Sequence, residues 1–430
     1  MKTKALIALL LAAVTLALTA CSGGELLETA ETATQAAQTE VTETEEKYSV
    51  WSPMSELPNY VLSAGASTDE IRAMAVKAMR DELTVQWYVD KGFSYYNANG
   101  TEMTVNAGEV YAGLPYTQSG SGLLQWLQYY DPETGNMPGL DASVQGTLGN
   151  SCAASVMWGW SSVVSSIDWN TTYLMTPGHG CLPVGGYKVD MNLMSYKDYT
   201  TTKIVADNGE QVMCKAYAAV LPADAVISFM DESSAHAQMI IEAPHVEYRA
   251  DGSIDPDKSY VVIQDQHKGI LKTGEPFVTE VDGNRVHYAG HVRQEETFRQ
   301  LLKANYVPVT TAEFTGAKGY DMPRVEARGV DTFTSLDDLK GLTVYSVYKI
   351  ITIRMAVEDG ETTVLEQKKV LGRSEIEKGT AIAFDMDAFT MPIGLGRKLE
   401  KGKTYTLKLE VLDTTGTNHT VVNTEYTYNG

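Results

Sequence analysis

The sequence predicts an α+β head, in which a helix carries a cysteine against an antiparallel sheet, followed by a separate all-β sandwich. Three observations lead there. A helical period over residues 68–84 is followed, after turn-rich segments, by Gly149-Asn150-Ser151-Cys152 and an apolar stretch running to about Ile167. Strand-like segments then take over between about 225 and 310. Beyond residue 340, short apolar runs separated by turns continue to the end of the chain.

The first 21 residues stand apart from the fold. Lys2 and Lys4 precede the apolar run Ala5 to Leu18, and Leu18-Thr19-Ala20-Cys21 follows it. This resembles a bacterial lipobox. The resemblance implies cleavage before Cys21, lipid on that residue, and a mature protein anchored to the membrane outside the cytoplasm. Residues 22–47 are mostly Thr, Ala and Glu, a composition too poor in apolar groups to join a core, and read as a disordered tether. No later stretch is apolar enough to span a bilayer. The formal net charge of −21 argues against nucleic acid and anionic surfaces as electrostatic partners.

Residues 48–315 form the predicted head. Ser67-Thr68-Asp69-Glu70 reads as a capping box, with Ile71, Met74, Ala75, Ala78 and Met79 at helical spacing behind it. Turn signals at Asn97–Gly100 and Pro132–Gly135 flank Gly113-Leu114-Pro115-Tyr116. Residues 168–220 read as a long irregular insertion. Ala225–Phe229 and His236–Ile241 read as strands, and Ser259–Asp265 as the return strand of a hairpin. A short helix near 294–304 and a strand at 306–310 close the head. Residues 316–339 read as a linker. Strand-like runs at Leu342–Met355, Thr362–Val370, Thr380–Phe384, Tyr405–Leu412 and Thr420–Tyr428 then suggest an immunoglobulin-like β-sandwich over 340–430.

Chemistry centres on Cys152. With Asn150 or Ser151 as N-cap, its thiol sits in the first helical turn, where unpaired N–H groups and the helix dipole favour a thiolate. A lone Cys there is ordinarily a core residue, so the reading depends on its companions. A nucleophile needs a base, and the base an orienting group. His236 opens a strand after the polar loop 231–234, at the mouth of a sheet. The hairpin returns to Asp265-Gln266-His267, any of which could hold its ring. Cys181 and Cys214 are candidates for a disulfide, which would leave Cys152 free in an oxidising compartment. His179, Cys181 and Cys214 lack the regular spacing of a metal site, and Gly290 between His287 and His291 argues against a helical metal pair. Nothing in the pattern calls for a metal or cofactor.

The order of these elements is that of a family. Gly113-Leu114-Pro115-Tyr116, a Cys at a helix start, Leu221-Pro222-Ala223-Asp224-Ala225-Val226-Ile227-Ser228-Phe229, a strand headed by His236 and a polar strand end resemble the NlpC-like, papain-fold cysteine peptidases of bacterial cell walls. The resemblance covers roughly residues 68–312. It implies a papain-like head with Cys152 as nucleophile, His236 as general base and Asp265 as orienting residue, Gln266 and His267 being the competitors. Tyr116 would lie near the oxyanion or substrate, and Gln145, shortly before the nucleophile, is a second oxyanion candidate. The flanks depart from the family. Ser151-Cys152-Ala153-Ala154 replaces Asp-Cys-Ser-Gly, Ala223 replaces Gly, and Ala237-Gln238 follows the His where the family has hydrophobic-Gly.

The expected function is therefore hydrolysis of amide bonds, in peptidoglycan stem peptides or related peptides, by an extracytoplasmic lipid-anchored enzyme. Its C-terminal domain would meet a cell-wall or protein partner. Two alternatives remain open: a cell-surface adhesin or scaffold that keeps the fold without the activity, and an acyl or glutaminyl transferase using the same Cys and His.

Overall fold

The computed structural model describes residues 53–97, 100–165, 167, 175–178, 180–190, 192–193, 199–230, 234–267, 278–281, 284–372, 382–389 and 398–429. Cys21, the 22–47 tether, His179 and residues 231–233 lie outside them. The protein is mixed α+β, with more strand than helix.

Helix α1 (Thr68–Thr84) begins where the capping box predicts. The Ser67 hydroxyl accepts from the Glu70 N–H, and the Glu70 carboxylate accepts from the Ser67 N–H at 2.7 Å. Ile71, Ala75, Met79 and Leu83 make its buried face. Then come β1 (Gln86–Trp87), β2 (Phe93–Tyr96), β3 (Glu102–Val105), β4 (Val110–Ala112), α2 (Leu123–Trp126) and α3 (Val144–Thr147). They enclose a small aromatic core, where Trp87 stacks on Tyr111 at 4.8 Å between centroids and meets Trp126 edge-on.

Helix α4 (Cys152–Ser161) is buried along its whole length. Its approach to α1 depends on Gly159, where an added Cβ would fall 2.8 Å from Met79 Cβ and 3.0 Å from the Met239 methyl. After β5 (Leu182–Pro183), the stretch expected to be irregular contains two helices, α5 (Thr201–Asn208) and α6 (Glu210–Tyr217). Gly209, at φ +77, separates them and hides the helical period from a sequence reading. Ile204, Met213 and Tyr217 bury their inner faces.

The strands β6 (Ala225–Phe229), β7 (Ala235–Ile240) and β8 (Tyr260–Gln266) fall within a residue of expectation. They are followed by β9 (Val278–Val281), β10 (Asn284–Tyr288), β11 (Gly290–Thr297), α7 (Phe298–Lys303) and β12 (Val307–Thr310). Residues 294–297, expected in a helix, instead continue β11 along β8. The main sheet has the order β11-β8-β7-β6-β12-β5 and all its pairs are antiparallel. Helices α1 and α4 pack on one face of it. A second sheet, β1-β4-β10-β9, pairs β10 parallel to β4.

The C-terminal unit contains β13 (Val325–Arg328), β14 (Thr343–Ser346), β15 (Ile350–Asp359), β16 (Thr362–Val370), β17 (Ala383–Asp385), β18 (Thr404–Asp413) and β19 (Asn418–Thr427). They make two antiparallel sheets, β13-β14-β17 and β16-β15-β18-β19. The segment 316–339 is thus not simply a linker, because β13 within it pairs with β14. The single run expected at Leu342–Met355 divides into β14 and β15, which belong to different sheets. This unit grips the far end of α4. Thr414 Oγ donates to the Ser161 carbonyl at 2.6 Å, the Tyr348 hydroxyl to that of Val163, and Lys349 Nζ to that of Ile167.

Candidate active site

The turn before Cys152 is fixed from two sides. Gly149 has φ +88, and an added Cβ would stand 2.4 Å from the Pro115 carbonyl, so only glycine fits. The Thr117 N–H donates to the Asn150 carbonyl at 2.8 Å and the Asn150 N–H to that of Pro115 at 3.2 Å. The Gly113–Tyr116 segment therefore runs beside the cysteine turn, and Tyr116 bridges to Asn150 with its ring buried in the aromatic core.

From the other side, Glu82 of α1 reaches across. Its Oε1 accepts from Asn150 Nδ2 and from Ser155 Oγ, both at 2.6 Å, binding residues on either side of Cys152. Burial pushes its carboxyl up to about 8, against the pull of those hydrogen bonds. Ser151 occupies the N-cap position in extended conformation, but its side chain makes no capping bond. Cys152 follows as the first helical residue, and its side chain is wholly buried. Gln145 belongs to α3, and its side chain lies outside the described residues.

His236 is the second residue of β7, opposite Ser228. Its Nε2 lies 2.7 Å from Asp265 Oδ2. The β7–β8 register pairs Met239 with Gln264, which puts Gln238 across from Asp265, so His236 reaches the carboxylate diagonally rather than from directly opposite. Asp265 is almost completely buried. Burial alone would raise its carboxyl; the charge of His291 and the hydrogen bond from His236 oppose this and hold it well below the usual carboxylate range. An ionised carboxylate only accepts hydrogen bonds, so His236 donates from Nε2 and its Nδ1 is left as the basic nitrogen.

The two competitors for the orienting role sit elsewhere. Gln266 alternates to the other face of β8 and donates from Nε2 to the Leu114 carbonyl. The His267 ring stands edge-on to His236, with 6.2 Å between centroids.

Three further groups were not picked out by sequence reasoning. His291 of β11 is paired across from Asp265, and its Nδ1 lies 2.7 Å from Asp265 Oδ1. Glu296, five residues on, shares that face. Burial, reinforced by the Asp265 charge, raises its carboxyl to about 7. Tyr306 places its ring edge-on to His236 at 6.4 Å. Burial raises its phenol, as do the charges of Glu296, Asp265 and Cys152. Spacing in sequence carries no signal for any of the three, because they come to Asp265 of β8 from β11 and from the residue before β12.

The faces of the sheet matter here. Met239 turns toward α4, where its methyl adjoins Gly159, and Gln264 Nε2 donates to the Val76 carbonyl of α1 at 3.0 Å. Strand alternation turns His236 and Asp265 the opposite way. By this alternation His236 and Asp265 point from the face opposite α4, and Tyr306 is the group that adjoins both sets: its ring stands edge-on to His236, and the Cys152 charge acts on its phenol.

Cys181 and Cys214, the expected disulfide, are both free thiols. Burial raises the first to about 12 and the second to about 11, so both behave as apolar core groups. Comparison with known proteins adds no relative: no family model, no curated protein and no solved structure matches the chain.

Proposed function

We propose that the chain is a lipid-anchored, extracytoplasmic cysteine hydrolase with an NlpC-like, papain-type head and an immunoglobulin-like C-terminal module. Its substrate would be an amide in peptidoglycan stem peptides or a related peptide. The observation that carries this reading is the 2.7 Å bond between His236 and a buried, ionised Asp265, which fixes the imidazole tautomer and leaves Nδ1 basic. Cys152 at a helix start supplies the nucleophile. The thiolate attacks the amide carbon, and the oxyanion is held by the Cys152 N–H and one further donor. The His236 imidazolium passes its proton to the leaving amine, and a thioester remains. His236 then takes a proton from water, whose oxygen attacks the thioester; the acid leaves, and the Cys152 thiolate and His236 imidazolium are restored.

A second reading, a cell-surface scaffold that keeps this architecture without turnover, is favoured by one specific observation. Strand alternation directs His236 away from the face that packs under α4, and Cys152 is wholly buried. One experiment separates the two. Purified full-length protein is incubated with isolated cell walls, and the soluble fragments are compared with those from Cys152→Ala and His236→Ala. Fragments released only by the wild type support the hydrolase. Identical profiles from all three leave the scaffold.

A further inference from the structure

We propose that His291 is a positioning residue for the His236–Asp265 pair, holding the carboxylate aimed so that His236 keeps its Nε2–H tautomer. This rests on the reading of His236 as the general base, and it extends that pair to a three-residue chain across β7, β8 and β11.

The geometry is explicit. Asp265 offers two oxygens in a position almost without solvent. Oδ2 takes His236. Oδ1 takes His291 Nδ1 at 2.7 Å and, more loosely, the His291 backbone N–H at 3.4 Å. A buried carboxylate with one oxygen unpaired costs several kcal/mol or takes up a proton. A protonated Asp265 would no longer draw the His236 Nε2–H, and the ring would lose its fixed tautomer. His291 is also the largest influence keeping this carboxyl low against burial. Its place is set by the backbone. Gly290 lies so close to β8 that an added Cβ would stand 2.2 Å from the Asp265 carbonyl, and this contact locks the start of β11 against Asp265.

The other groups facing this chain are His267, whose ring centroid is 5.2 Å from that of His291, Glu296 on β11, and Tyr306 before β12. Glu296 adds negative charge as it ionises near 7 and so acts on His291 in the same direction as Asp265. Tyr306, with its phenol raised, stays neutral.

The test follows the imidazole resonances directly and needs no substrate. Nitrogen and carbon NMR of the full chain, which has only 7 histidines, reports the tautomer of the His236 ring. The wild type is compared with His291→Ala, His291→Asn and His291→Gln, with thermal unfolding confirming the fold of each. An Asn amide can donate from close to the Nδ1 position, whereas a Gln amide reaches toward Nε2. His291→Ala and His291→Gln are expected to lose the fixed Nε2–H tautomer, the neutral ring becoming a mixture of its two forms. His291→Asn should restore it. A His236 tautomer unchanged in the Ala and Gln variants would overturn the proposal. So would an Asn variant no better than Gln, which would leave His291 as packing alone. If the NMR result holds while cell walls release no fragments, the hydrolase reading fails and the positioning role of His291 stands.

Discussion

Glu82 ties the cysteine turn to α1, and its titration should be visible in the stability of the whole protein. Burial raises its carboxyl to about 8 from the ordinary 4.5. Between those values the folded chain holds a proton that the unfolded chain has lost, so stability falls as pH rises through this window and levels off above about 8. Each pH unit is worth about 1.4 kcal/mol, so between roughly pH 5 and 7.5 this one group removes about 3 kcal/mol. Glu82→Gln keeps an acceptor for Asn150 and Ser155 and cannot ionise. Its absolute stability also depends on how the amide meets the Leu123 N–H, which donates to the carboxyl in the wild type. The informative quantity is therefore the stability difference between variant and wild type as pH changes. Urea unfolding at a series of pH values, with unchanged m, should show that difference moving about 3 kcal/mol in favour of the variant from roughly pH 5 to 7.5. A flat difference would refute the conclusion that Glu82 is neutral in the folded protein.

Asp265→Ala removes the acceptor shared by His236 and His291. On the hydrolase reading kcat should fall by ~10²–10⁴ and KM change little, with a smaller loss than in Cys152→Ala. Because folding lowers this carboxyl, its contribution to stability is present above the ordinary 3.8 and lost as pH falls below it; acid unfolding of Asp265→Ala should lack that component. On the hydrolase reading, iodoacetamide at neutral pH, read by peptide mass spectrometry, should label Cys152 before Cys181 and Cys214, whose raised thiols stay protonated. Equal, slow labelling of all three would count against Cys152 as the nucleophile. Cys21→Ala should move the protein from the membrane fraction to the medium or leave an unprocessed precursor; unchanged fractionation would remove the lipid anchor.

What could be read in the sequence follows from how local each signal is. The capping box at Ser67 and the strand period from Ala225 to Asp265 act within a few residues, and α1, β6, β7 and β8 appear where they predict. The pairing of His236 with Asp265 was also within reach, because one hairpin joins them. His291 was not, since it enters from β11, and neighbouring Gly290 spoke only against a metal pair. Glu82 looked like an ordinary polar residue near the end of a helix, because nothing local announces that Asn150 and Ser155 will come to meet it. The α5–α6 pair was obscured by Gly209, and β13 by its isolation from the strand it joins. The two cysteines failed as a disulfide because spacing says nothing of whether their positions approach.

The grip of the C-terminal unit on α4 has a consequence for how this chain can vary. A helix ends with carbonyls that lack intrahelical partners, and here Thr414, Tyr348 and Lys349 satisfy carbonyls at and beyond that end. The same helix begins with Cys152. The C-terminal unit is therefore not an interchangeable attachment: a replacement domain that failed to supply those three donors would leave buried acceptors bare, at ~1–3 kcal/mol each. Changes in the loops that carry Tyr348 and Thr414 should thus be inherited together with changes in the 161–167 segment. Shuffling of modules, common where domains meet only through a tether, would here break the scaffold that carries the cysteine.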